Sequence, residues 1–201
     1  MVDPTKPELG LILRARAFAE PLFVGECLDT GEPTLVHADG VATLLRDVGG
    51  SEVLQAASYL VYATACLQKP REVIAKAFGE SFADLAVETT KLVQIQRQAR
   101  GAPQSLQTEN IRKMLLAFSR DLRVVMLRLA SRLQTLRYFA ASKKPASPEL
   151  AQESLNVFAP LANRLGIWDL KWEIEDLSSR FLEPDTYHQI ARLLDGKRAD
   201  R

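Results

Sequence analysis

The side chains able to hold a metal ion or move a proton are few. Of 201 residues, two are histidine and two are cysteine. A metal-centred hydrolase built from helices needs imidazole and carboxylate ligands converging from several of them. His37 follows Gly31-Glu32-Pro33-Thr34-Leu35-Val36 at a helix entrance and is the histidine placed like a ligand; His188 lies near the C-terminal end in a polar helix. Cys27 and Cys66 lack zinc-motif spacing and are too few for a disulfide framework, so both read as buried thiols in a reducing cytosol. With so few candidate ligands, His37 itself reads as a helix-entry histidine bonded to nearby backbone.

Other candidates read the same way. The arginines at 120, 123, 128, 132 and 137 could contact phosphate, but such a face is usually carried into solvent over apolar neighbours. Glu173, Glu175 and Asp176 could pair as catalytic carboxylates, yet they share an amphipathic segment with Trp168, Trp172 and Leu177, which suits a solvated or interdomain face. Nucleophile motifs, a phosphate-binding glycine loop and dinucleotide fingerprints are missing from the sequence.

The elements that must position these residues are helical. Between 121 and 139, Leu122, Val125, Met126, Leu129, Leu133 and Leu136 recur at steps of three and four, which predicts a helix with one buried face. Residues 53–67 are apolar nearly all round and predict a central, dry helix with no carboxylate to offer a cation. Pro21 breaks the first helix, Gly49-Gly50 ends a second, Gly79 separates two more, and Gly166 closes a helix begun by Ser147-Pro148-Glu149. Residues 25–33 and 96–107 read as loops, the second as a mobile one. The expectation is an all-α bundle of nine or ten helices, divided into a main bundle over 1–145 and C-terminal helices over 146–201.

At 47% hydrophobic content the chain can bury a substantial core. Its 26 basic and 25 acidic residues nearly cancel, so no direct nucleic-acid contact is expected. Neither a signal pattern nor an apolar run of about 20 residues is present, so a cytoplasmic protein without membrane contact is expected.

Gly31-Glu32-Pro33 running into Val36-His37, Thr90-Lys91-Leu92, residues 109–116, Asp121-Leu122-Arg123-Val124-Val125, residues 159–167 and residues 171–177 together form a specific set of stretches. In them the chain resembles the RelA/SpoT enzymes that make and degrade the alarmones ppGpp and pppGpp. This likeness implies the N-terminal HD-type hydrolase domain, followed by helices leading into a synthetase domain beyond Arg201. Active members resemble HD-domain phosphohydrolases with a manganese site of a first histidine, a His-Asp pair and a distant aspartate. The resemblance places the first histidine on His37, the His-Asp pair on Val61 and Tyr62, and an assisting Glu-Asp pair on Ala65 and Cys66. The distant aspartate falls on Ser131, the following asparagine on Thr135, and a nucleotide-contacting arginine on Leu28.

One imidazole cannot hold an ion that must acidify water and polarise a phosphate. From this register we expect His37 to be a vestigial ligand position, with no metal or other cofactor bound and no catalytic residue. The expected function is a catalytically inactive hydrolase-like domain of a RelA-type GTP pyrophosphokinase. Its partner would be the intramolecular synthetase domain, with ribosome contact only through regions outside this chain. The alternatives are an active manganese-dependent ppGpp 3′-pyrophosphohydrolase and a generic helical RNA- or protein-binding module.

Overall fold

A computed structural model describes residues 10–99, 103, 109, 113, 114, 116, 117, 120–184 and 192–194. Its helices are α1 (Leu11–Ala19), α2 (Thr34–Asp47), α3 (Glu52–Ala63), α4 (Pro70–Phe78), α5 (Glu80–Ala99), α6 (Leu122–Ser142), α7 (Pro148–Glu153), α8 (Ala159–Arg164) and α9 (Trp168–Leu182). The fold is all-α, as the periodicity predicts. The chain divides into two compact units, Met1–Ser131 and Arg132–Arg201.

In the first unit α3 packs against α1, α2 and α5. Ser51 starts it, accepting a hydrogen bond from the Leu54 N–H. Leu54, Ala56, Ala57, Ser58, Tyr59, Leu60, Val61 and Ala63 are all buried, which is what a helix without a polar face must do to be stable in water. Stops fall where the sequence puts them. The first helix gives way to a 3-10 turn, Glu20–Phe23, that contains Pro21, and Gly79 adopts φ +101° between α4 and α5, a conformation that costs glycine little.

One polar knot ties α1, α2 and α3. Arg16 donates to both carboxylate oxygens of Asp39 at 2.9 and 3.1 Å, and the Tyr59 hydroxyl donates to Asp39 at 2.6 Å. Partial burial raises the Asp39 carboxyl, but the Arg16 and Tyr59 hydrogen bonds outweigh it and hold the group below the usual carboxylate range. A carboxylate lowered by folding stabilises the protein above its unfolded range, and the contribution is lost as pH falls through the lowered value. Asp39→Asn should therefore cost about 1 kcal/mol near neutrality after allowance for solvent screening. Denaturation series across pH should show the two proteins converging in acid.

In the second unit α9 packs against α7, α8 and the π-helical segment Ser154–Phe158 between them. Ser147 caps α7 by accepting from the Leu150 N–H, with Pro148 in the first turn.

Three expectations are corrected. Residues 96–99 continue α5 and are not loop; the rest of the stretch to 107 lies almost entirely outside the described residues, as does His188. Cys27 is exposed and Cys66 half-buried, because Cys27 belongs to a surface turn whose bridge partner is Pro33. The arginine face does not all meet solvent. Arg128 and Arg132 are 7% and 3% exposed, each held by a hydrogen bond to a buried polar side chain, Gln96 and Ser154 respectively. Arg132 donates to the Leu150 carbonyl at 3.2 Å and Ser154 Oγ at 3.0 Å, pairs with Glu153, and stacks over Phe158 at 4.3 Å.

Candidate functional site

A tight turn before α2 builds the site. The Leu28 N–H donates to the Glu32 carbonyl at 2.9 Å and the Gly31 N–H to the Leu28 carbonyl at 2.9 Å, with Gly31 at φ +90°, a left-handed conformation that favours glycine. The turn sends the Glu32 side chain inward, where the residue is 1% exposed. His37, on the first turns of α2, is equally buried. Its Nδ1 lies 2.5 Å from Glu32 Oε1.

The far side of the ring faces hydroxyls from two other helices. Nε2 is 2.9 Å from Ser131 Oγ on α6 and 3.0 Å from the Tyr62 hydroxyl on α3, and Tyr62 donates to Ser131 at 2.6 Å. The Tyr62 ring packs edge-on against His37 with centroids 4.9 Å apart. Burial pushes the Tyr62 phenol up, against the opposing field of Arg128, so the phenol keeps its proton near neutrality. Arg128 in turn donates to Gln96 at 2.5 Å, and both residues are buried.

The expectation for His37 is thus corrected. It bonds three side chains, not nearby backbone, and two of the three, Tyr62 and Ser131, occupy positions the resemblance assigns to the site. The site's own proton-carrying groups are hydroxyls where carboxylates were sought. Val61 is buried beside Tyr62 on α3, whereas Ala65 is exposed and Cys66 half-buried in the 3-10 turn Thr64–Cys66 that follows. Burial and the Glu26 charge push the Cys66 thiol up. Leu28 sits half-buried in the turn itself, and Thr135 belongs to the second unit.

Gln96 has no role in the sequence reading, Glu32 enters it only within the Gly31-Glu32-Pro33 stretch, and Arg128 enters it as a solvent-facing arginine. Glu32 is recoverable from its place directly after the Gly31 turn and five residues before His37. Arg128 is recoverable from its position three residues before Ser131, one turn away on α6.

A divalent cation, which the resemblance implies, does not fit this donor set. Among the described residues no group of three or more His, Cys, Asp or Glu side chains could hold a metal ion. Glu32 supplies a single carboxylate, already engaged by His37.

A family model described as HD domain matches residues 15–168. The chain is 41% identical over 99% of its length to a Synechocystis protein named a probable guanosine-3′,5′-bis(diphosphate) 3′-pyrophosphohydrolase, covering 26% of that protein. It is 32% identical over 97% of its length to a Myxococcus xanthus GTP pyrophosphokinase, covering 26% of it. With a Vibrio cholerae guanosine-3′,5′-bis(diphosphate) 3′-pyrophosphohydrolase it shares 31% identity over 98% of its length, covering 28%. The chain spans about a quarter of the length of the curated relatives it matches. These names overturn the expectation of a catalytically inactive, non-enzymatic segment: relatives alike over nearly the whole chain are named for hydrolysis. The physical reason the expectation failed is that it judged each substituted position alone, while Tyr62 and Ser131 converge on His37 as one hydrogen-bonded cluster. No helix among the described residues is long and apolar enough to cross a membrane.

Proposed function

The chain belongs to the HD-domain family, in its RelA/SpoT-type branch, and we propose from that premise that it is a guanosine-3′,5′-bis(diphosphate) 3′-pyrophosphohydrolase domain. Water would cleave the bond to the 3′-pyrophosphate, giving GDP and pyrophosphate. The observation that carries this reading is the buried His37, held by Glu32 on one side and facing two hydroxyls on the other, within a chain 41% identical to a relative so named. An imidazole so oriented can accept a proton during attack. Chromatography of ppGpp incubated with the purified chain should show GDP and pyrophosphate accumulating together; intact alarmone after prolonged incubation would refute the reading.

The relatives named GTP pyrophosphokinase suggest the wider setting. We propose that the domain serves a longer cytoplasmic protein of the stringent response, whose synthetase domain is its intramolecular partner. Ribosome contact, in that reading, belongs to other regions, and the near balance of charge supports no direct nucleic-acid binding here.

A further inference from the structure

We propose that the His37 site is closed to divalent cations by a hydrogen-bonded chain, Tyr62 to Ser131 to His37 to Glu32, and that any hydrolysis there is cation-independent. This rests on the hydrolase reading only for its second half.

The first argument is geometric. A ring nitrogen binds a first-row divalent ion at about 2.0–2.2 Å through its lone pair. On His37, Nδ1 faces Glu32 at 2.5 Å, so Nε2 is the nitrogen left to coordinate. The space in front of Nε2 is taken by Ser131 Oγ and the Tyr62 hydroxyl, at 2.9 and 3.0 Å, which also bond each other. An ion would have to part all three contacts, and would gain two neutral oxygens and one imidazole in exchange for most of its water.

The second argument is electrostatic. The positive charge near the cluster is already supplied by the Arg128 guanidinium, which is close enough to act on the Tyr62 phenol and is itself buried. A dication beside it would meet repulsion in a low-dielectric interior with one carboxylate to offset it.

The directions of the bonds close consistently. Tyr62 donates to Ser131. Ser131 is then free to donate to Nε2, and Nδ1–H donates to Glu32. Hydroxyl, imidazole and carboxylate thus form one continuous hydrogen-bonded path, with Glu32 fixing the orientation of the imidazole. Each acceptor on the path has a donor, so the cluster needs no ion to be satisfied.

Manganese alone is the probe. Titrating the purified chain with Mn²⁺ and reading free ion by electron paramagnetic resonance should show no stoichiometric site up to millimolar concentration, and the same trace for His37→Ala. One bound ion per chain that His37→Ala abolishes would overturn the proposal. In the activity arm, turnover of ppGpp should be unchanged by excess EDTA. Turnover that EDTA abolishes and manganese restores would likewise overturn the proposal while keeping the hydrolase reading. Absence of turnover under every condition would instead sink the hydrolase reading, and the manganese titration would still decide the cation question. Ser131→Ala should lower turnover at least about 100-fold; a Ser131→Ala protein with undiminished turnover would count against a role for this chain in hydrolysis.

Discussion

Replacing His37 by alanine should both destabilise the first unit and remove alarmone hydrolysis. The substitution takes away the Nδ1 partner of a carboxylate that is 1% exposed and leaves the Ser131 and Tyr62 hydroxyls facing a void. Breaking a buried pair by removing one member costs about 3–5 kcal/mol, because the remaining charge stays desolvated. For a chain of this size that is a fall in Tm of roughly 6–20 °C. Hydrolysis should fall at least about 100-fold, the scale of a lost general base. His37→Gln separates the two effects. An amide can still donate to Glu32, so much of the stability should return while turnover stays low. Calorimetry and initial rates on the two variants check this, and a stable, fully active His37→Ala would contradict it.

The second large effect belongs to the other unit. Arg132 is 3% exposed and bonds the Leu150 carbonyl, Ser154 and Glu153 while lying over the Phe158 ring. Arg132→Ala should cost about 3–4 kcal/mol, since it leaves Glu153 without its cationic partner and opens a cavity against Phe158. Arg132→Met should lose less, because an unbranched apolar chain refills the space above the ring. The comparison is Arg137→Ala. Arg137 pairs with Glu173 at 2.5 and 2.7 Å, but both side chains are substantially exposed, and exposed pairs contribute under about 1 kcal/mol. Urea midpoints for the three variants should rank in that order of loss, alanine at 132 first and alanine at 137 last.

What the sequence made legible was local. The all-round apolar run 53–67, the Ser147-Pro148-Glu149 start, Pro21 and Gly79 place α1, α3, α4, α5 and α7 from neighbouring residues alone. The candidate site was legible only at its anchor. His37 stands out by type, but its partners Tyr62 and Ser131 lie 25 and 94 residues away, and a bond between an imidazole and neutral hydroxyls leaves no spacing pattern. Arg128 and Arg132 were read as surface because their type is usually solvated. Their burial is decided by Gln96 in one unit and by the α7 carbonyl and Ser154 in the other. The same long range hides the Trp168 and Trp172 surface. Both side chains are largely exposed, with ring centroids 6.4 Å apart. The acidic face beside them is instead settled by pairing, Glu173 with Arg137 and Asp176 with Arg180.

The account turns on whether a buried imidazole flanked by a carboxylate and two hydroxyls processes alarmone on its own. A phosphorus NMR time course of ppGpp with the purified chain in EDTA measures this directly. The account predicts that the 3′-pyrophosphate resonances give way to free pyrophosphate, and that His37→Gln leaves them standing. Spectra unchanged for the unmodified chain, or conversion equal in the two proteins, would contradict it.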